Sequence, residues 1–379
     1  MHRLIMAATA ATLAIAGSAH AQGFTAEGFE YGPRTSLAEG ETAEIWNPAM
    51  RKLMEGGPLI GGTVRTADAR AYCAMASAGY DFIWTEKQHE AISWENAARM
   101  WRTCPGPAAP GARVALGSEQ EIQIATDMGA LVVVVPTIDS VEEAQEAINW
   151  TYFPPMGRRS AGGGQGPGEM WNDVPGGYRQ TWNDNVVLIL MIETLEGVEN
   201  VREIAKLPGV DAIFAASGDL GNFSGYAEGD PEYEAIITEI EEAAAEAGVA
   251  LCGPLRWAER PGFTCFQAGT EAANIRRGVQ VELDAALAAY NSTGAGAGAA
   301  EAAGGSPLVA GIAAECTQIT YEADCHAAIE AALTAAGSES DGARAEVGAA
   351  IAEVIAAHPA QADRIREIVS GSGVDVGDI

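Results

Sequence analysis

The side chains best placed to do chemistry are few and stand at the ends of apolar runs. His89 is the single histidine between residues 57 and 292, and it closes the segment Trp84-Thr85-Glu86-Lys87-Gln88-His89. Glu86 lies three residues before it, and a carboxylate at that range can orient an imidazole and stabilise its charged form, giving a usable general base. A lone histidine is equally at home as a structural residue. Glu193 ends the run Val186–Ile192, where a carboxylate without a partner is costly to bury. Asp219 follows a second run in Phe214-Ala215-Ala216-Ser217-Gly218-Asp219-Leu220. Were these runs neighbouring strands, the two carboxylates would suit one hard cation. Mg²⁺ and Mn²⁺ take one or two carboxylates and complete an octahedron with water and substrate oxygens. The same residues are also compatible with a helix-start acid at Glu193 and an N-cap at Asp219. Arg113, in Gly111-Ala112-Arg113-Val114, is either an anion-stabilising group or an exposed edge cation. Lys87 invites a Schiff-base reading, but its place beside His89 fits a loop lysine better than a buried amine of lowered pKa.

These residues need a frame that gathers strand ends. From about residue 57 to 292, short apolar runs alternate with amphipathic ones. The strand candidates are Leu59–Val64, Phe82–Trp84, Arg113–Leu116, Leu131–Pro136, Val186–Glu193, Ala212–Ala215, Val249–Cys252 and Ala273–Ile275. Helical patterns lie between them at Ser118–Asp127, Val141–Trp150, Val198–Ala205, Glu232–Ala247 and Trp257–Ala268. Eight buried strands alternating with helices predict an α/β TIM (β/α)8 barrel, whose active site forms where the strands end. A doubly wound open sheet is the alternative, but no G-x-G-x-x-G follows the first strand. The Gly-rich stretch Gly157–Gly177 interrupts the alternation at a βα position where a lid would serve. Residues 22–56 read as an N-terminal extension with a helix near Pro48–Met54, residues 293–306 as a Gly/Ala linker, and residues 307–379 as a small Ala-rich helical unit. In that unit the helical patterns fall at Glu322–Ala335, Gly342–Ala357 and Gln361–Val369, with His326 and His358 expected at the surface.

The chain carries 22 Lys and Arg against 52 Asp and Glu, a formal charge of −30, which argues against nucleic acid or an anionic membrane as a partner. Residues 1–21 have the form of a Sec-type signal peptide: Met1-His2-Arg3, an apolar stretch Leu4–Ala16, and a small-x-small site at Ala19-His20-Ala21. The apolar part is shorter than the roughly 20 residues that span a bilayer. The mature protein is therefore expected to be exported, periplasmic and without a membrane span. Export permits disulfides, and six cysteines allow full pairing; Cys316 and Cys325 are the favoured pair.

From Gly79 to Tyr290 the sequence resembles the HpcH/HpaI aldolase family, related to citrate lyase β-subunits. The resemblance rests on Tyr80-Asp81-Phe82 leading into Gln88-His89, and on Arg113 followed by Asp127-Met128-Gly129-Ala130. It continues through Pro136, Tyr152-Phe153-Pro154-Pro155-Met156-Gly157-Arg158-Arg159, Ile192-Glu193-Thr194 and Gly218-Asp219-Leu220, all in family order. It implies a divalent-metal aldolase of the class II pyruvate type, cleaving a 4-hydroxy-2-oxo acid to pyruvate and an aldehyde through a metal-bound enolate. Glu193 and Asp219 would hold Mg²⁺ or Mn²⁺, the Gly218 and Asp219 amides would take the carboxylate of a small 2-oxo acid, Arg113 would stabilise the enolate oxygen, and His89 with Glu86 would form the base system. The family also implies a homo-oligomer, commonly a hexamer with exchanged helices. Three positions depart from the pattern. Met191 stands where a glutamine often contacts the oxo acid, Gln88 replaces the acid before the histidine, and Ala216-Ser217-Gly218-Asp219-Leu220 lacks a proline. A thioester lyase of the citrate or malyl-CoA type, and an exported barrel that binds a carboxylic acid without turnover, are the competing expectations.

Overall fold

The computed structural model describes residues 37, 40–104, 106–162, 171, 173–292, 307–316, 325, 327–329, 331–332, 341–359 and 362–370. The proposed signal peptide, the linker, most of the extension before residue 40, His326 and part of the Gly-rich stretch lie outside these. The chain divides into two compact units between Arg277 and Gly278.

In the first unit, parallel strands close into a TIM barrel in sequence order: β1 (Leu59–Val64), β2 (Phe82–Glu86), β3 (Ala109–Arg113), β4 (Val132–Val135), β5 (Val187–Ile192), β6 (Ala212–Ala215), β7 (Ala250–Pro254) and β8 (Phe263–Thr270). β8 returns to pair with β1, which excludes the open sheet. Period-two alternation divides the apolar residues between two cores. Leu59, Phe82, Trp84, Val132, Val134, Val187, Ile189, Met191 and Phe214 fill the barrel, and Trp84 meets Phe214 edge-on at 5.5 Å. The intervening strand residues, among them Ile83, Val133, Leu188, Leu190 and Ile213, face the helices.

Two elements differ from the expectation. The third strand is Ala109–Arg113 rather than Arg113–Leu116. Its residues are small because β2 fills the space beside them: a Cβ on Gly111 would stand 3.1 Å from the Ile83 carbonyl and 3.2 Å from the Phe82 ring. Large residues on one strand and small ones on the next pack well but leave no apolar run to read. The eighth strand is Phe263–Thr270, while Ala273–Ile275 belongs to the helix Glu271–Ser292. The helical period at Trp257–Ala268 is overridden by pairing with β1 and β7, where Cys252 and Cys265 are opposite in register and disulfide-bonded inside the barrel. Cys73 is bonded to Cys104, and Cys316 to Cys325.

The N-terminal end of the barrel is closed by the helix Pro48–Met54, whose Ala49 is buried in the barrel core. Asn47 caps it and donates to the carbonyls of Leu131 (3.0 Å) and Asn185 (2.7 Å). A repeated Gly-x-Asp tightens the same end. Asp81, before β2, accepts from the Ile60 amide at 2.8 Å, and Asp211, before β6, accepts from the Leu188 amide at 2.7 Å. The most distinctive sequence motifs brace the outside of the barrel. Buried Arg159 pairs with Asp127 at 2.7 Å and stacks on Phe153 and Trp182, at 4.5 and 4.0 Å, while the Tyr152 hydroxyl donates to Asp211.

The second unit has its own core, in which Ile312, Ile329, Val347, Ile351, Val354, Ile365 and Val369 are buried among the helices Pro307–Cys316, Asp341–Ala357 and Ala362–Ser370. His358 is half-buried, just past a helix end. Among the described residues, no helix is long and apolar enough to cross a membrane.

Candidate active site

The alternation that fills the barrel also carries the charged side chains to its mouth. Phe82 and Trp84 point inward, so the next inward position on β2 is Glu86. Val187, Ile189 and Met191 point inward on β5, so Glu193 follows in phase one residue past the strand. The β2–β3 register sets Glu86 opposite Arg113. The Ala216 amide donates to the Ile192 carbonyl at 3.2 Å, tying the start of the Ser217–Ser224 helix, and with it Asp219, to the end of β5.

Glu86 is buried and fully engaged. Its Oε2 accepts from the Arg113 guanidinium at 2.8 and 2.5 Å and from Trp84 Nε1 at 3.3 Å; its Oε1 accepts from the amides of Gln88 (2.7 Å) and His89 (3.1 Å). Burial pushes this carboxyl up, but the guanidinium and the two amides outweigh it and hold Glu86 below the usual value. Glu86 therefore grips the backbone of His89 and the side chain of Arg113, rather than the imidazole as the sequence suggested. The cross-strand register brings the guanidinium to it first. Arg113 also lies over Trp84 at 5.4 Å and points Nη1 at Met191 Sδ, 3.9 Å away. The residue that departs from the family pattern thus meets the arginine.

Glu193 is buried with its two oxygens in unlike situations. Oε1 accepts from the Thr137 hydroxyl at 2.6 Å; Oε2 has no hydrogen-bond partner. Burial raises its carboxyl above the usual value, and the nearby Asp219 carboxylate adds to this, while the Thr137 hydroxyl opposes it. Asp219 is half-buried in the first turn of a helix whose N-terminus lacks a side-chain cap, and Gly218 beside it is exposed. A buried, unpartnered carboxylate oxygen beside a second acid calls for a cation, and a donor set made only of oxygens fits Mg²⁺ or Mn²⁺. Among the described residues no group of three or more His, Cys, Asp or Glu side chains is assembled to hold a metal. An ion at Glu193 and Asp219 would complete its shell from water and substrate.

Glu86, His89 and Arg113 line a cavity of about 230 Å³ that is closed on its other side by Thr63, Arg65 and residues 267–270. Arg65 donates from Nε to Glu90 at 2.6 Å, and its backbone amide donates to both oxygens of buried Glu271, at 3.0 and 3.1 Å. Lys87 lies over the Trp94 ring at 4.8 Å and is not among the residues lining the cavity. Sequence reasoning named neither Thr137 nor Arg65. Their only signal was position: each is the first residue past an apolar run that ends at the mouth, Leu131–Pro136 and Leu59–Val64.

A family model described as HpcH/HpaI aldolase/citrate lyase matches residues 75–280. A 4-hydroxy-2-oxo-heptane-1,7-dioate aldolase of Shigella sonnei (strain Ss046) is 30% identical over 202 residues, 52% of this chain and 76% of the relative. The Escherichia coli (strain SE11) protein of the same name is 29% identical over 192 residues, 50% of this chain and 72% of its own. Among solved structures, an HpcH/HpaI aldolase/citrate lyase family protein from Burkholderia cenocepacia J2315 superposes with a TM-score of 0.57 at 25% identity, covering 64% of this chain and 99% of that one. The citrate synthase SbnG shares the fold, with a TM-score of 0.54 at 24% identity over 65% and 98% of the two chains.

Proposed function

Because the chain belongs to the HpcH/HpaI aldolase/citrate lyase family, we propose that it is a divalent-metal-dependent carbon–carbon lyase that cleaves a 4-hydroxy-2-oxo acid to pyruvate and an aldehyde. The observation that carries this reading is the unpartnered Oε2 of buried Glu193 beside Asp219, at the end of the barrel where the Glu86–Arg113 pair also stands. Glu193 and Asp219 would hold Mg²⁺ or Mn²⁺. Such an ion, when bound, withdraws electron density from the 2-oxo group of the substrate.

The remaining work falls to the chain's own side chains. The uncapped N-terminus at Ser217–Asp219 presents Gly218 and Asp219 amides to the substrate's 1-carboxylate. Loss of the 4-hydroxyl proton allows the C3–C4 bond to break: the C4–O bond becomes the aldehyde carbonyl, and the bonding pair shifts into C2–C3 as charge grows on the 2-oxygen. Arg113, fixed by Glu86 and Met191, supplies a preorganised donor for that charge. His89, on the cavity wall and held through its amide by Glu86, receives the hydroxyl proton through water and returns a proton toward C3 to complete pyruvate. The aldehyde half occupies the cavity toward β1 and β8. The substrate name of the relatives carries a second carboxylate, and Arg65 is the cation on that wall suited to receive one.

Pyruvate release from 4-hydroxy-2-oxo-heptane-1,7-dioate by metal-stripped protein, followed with a lactate dehydrogenase couple, tests this. Activity should depend on added Mn²⁺ or Mg²⁺. Metal-independent turnover, with borohydride trapping of pyruvate on Lys87, would replace the scheme by a Schiff-base mechanism.

Export to an oxidising compartment is part of the same reading, supported by the disulfide pairing of all six cysteines. So is a homo-oligomer, supported by an exposed apolar stripe at helical spacing, Val279, Leu283, Leu287 and Tyr290. A size-exclusion mass of one subunit would remove that element.

A further inference from the structure

Thr137 has a positive φ, 51°, the single non-glycine residue to do so among those described. For a β-branched residue this region is a real outlier, and such strain persists only where the surroundings over-determine it. They do so here. The next residue, Ile138, donates its amide to the Met191 carbonyl at 3.1 Å. Asp139 accepts from the Thr194 hydroxyl, and its carbonyl accepts from Asn200 at 2.8 Å. Gly197 closes the packing, since a Cβ there would stand 2.7 Å from the Ile138 carbonyl. The turn after β4 is thus laced to the segment 191–200 on both sides of Glu193. The strained conformation turns Thr137 onto Glu193: its hydroxyl donates to Oε1 at 2.6 Å and its backbone amide also acts on the carboxyl, while Oε2 is left without a partner.

We infer that Thr137 is a positioning residue that makes Glu193 a one-oxygen ligand, so that the site prefers six-coordinate Mg²⁺ or Mn²⁺ to Ca²⁺. The inference rests on the metal reading of Glu193 and Asp219 proposed above. Mg²⁺ and Mn²⁺ favour octahedral shells with single oxygens from each carboxylate, whereas Ca²⁺ takes six to eight ligands and readily accepts both oxygens of one carboxylate. A hydroxyl that engages Oε1 and fixes the carboxylate plane draws on one of that oxygen's two acceptor sites, which disfavours the second arrangement and prepares the first. Outer partners of this kind typically alter metal affinity by about 10–100-fold.

The test is calorimetric titration of the metal-stripped full chain with Mn²⁺ and with Ca²⁺, beside Thr137→Val, Thr137→Ser, Thr137→Gly and Glu193→Ala. Valine keeps the shape and the β-branch, so it removes the hydroxyl without changing the backbone preference. Thr137→Val should bind Mn²⁺ about tenfold more weakly and Ca²⁺ with little change or more tightly, while Thr137→Ser restores the wild-type ratio. Thr137→Gly should lose Mn²⁺ affinity while its melting temperature holds or rises, because glycine relieves the positive φ. A residue needed only for folding would move both in the same direction. Wild-type Mn²⁺ binding that depends on Glu193, with Thr137→Val within about twofold in both affinities, overturns this inference alone. Binding that is absent, or unchanged in Glu193→Ala, overturns the metal reading and this inference with it.

Discussion

The two ends of the barrel handle buried polar groups in opposite ways. At the N-terminal end, Asn47, Asn185, Asp81 and Asp211 are turned onto backbone amides and carbonyls. At the C-terminal end, Glu193 is as deeply buried as Asn47 and Asn185 yet keeps an oxygen without a partner, beside a threonine in a strained conformation. The β2–β3 side of the mouth stands between these cases: Glu86 is satisfied, but by a guanidinium whose remaining face looks into a cavity. At one end the backbone answers the polar side chains and the barrel is closed; at the other a carboxylate oxygen beside a second acid is left unanswered, the arrangement on which the proposed metal site rests.

Substitutions at the two ends should separate function from stability. The largest effect is expected for Arg113→Ala, which removes the donor for the developing oxyanion and should lower kcat by about 10²–10³-fold. Glu86 would then lack its cation, so the melting temperature should fall as well; a variant that stays fully active removes Arg113 from the mechanism. Asn185→Ala should reverse the pattern. Its amide oxygen accepts from the amides of Trp46 and Asn47, and its nitrogen donates to the carbonyls of Glu44 and Thr181. Urea unfolding should show a loss of about 2–3 kcal/mol, with Mn²⁺ affinity unchanged; weakened metal binding would mean that the two ends are coupled. Arg65→Ala should raise KM about tenfold for the dioate while sparing a 4-hydroxy-2-oxo acid with a neutral tail. An equal change for both substrates would take Arg65 out of substrate selection.

The gentlest test is one of pH. Burial, opposed by the Leu188 amide and the Tyr152 hydroxyl, pushes the Asp211 carboxyl up to about 7. The unfolded chain releases this proton near the ordinary value, whereas the folded chain retains it to about neutrality. The group therefore contributes stability at acid pH that is lost as pH rises toward and through 7. Asp211→Asn should flatten the decline between about pH 4 and pH 7 in urea unfolding. An unchanged slope would show that Asp211 is already ionised in the fold.

Much of this was legible in the sequence, because the barrel interior is read out in period two. Leu59–Val64 and Ala212–Ala215 fall where the apolar runs place them, and the same period brings Glu86 and Glu193 to the mouth. The third and eighth strands were not legible. β3 is built of small residues that complement Phe82 and Trp84, and β8 carries a helical period overridden by two neighbouring strands. The motifs that stand out to the eye proved to be mainly scaffold: Asp127 and Arg159 pair with each other on the outside of the barrel, and Tyr152 holds Asp211. Thr137 was missed because its role comes from a positive φ and a contact across 56 positions, neither of which leaves a local pattern. The partner of Glu86 was missed for a similar reason, since it depends on the register between β2 and β3.

In the proposed mechanism the unanswered oxygen of Glu193 holds a cation that a 2-oxo acid then joins. Calorimetric titration of metal-stripped protein with oxalate or pyruvate, with and without Mn²⁺ and beside Glu193→Ala, tests it most directly. Oxo-acid binding should require Mn²⁺ and disappear in the variant. Binding of the acid without metal, or undiminished binding in Glu193→Ala, would contradict it.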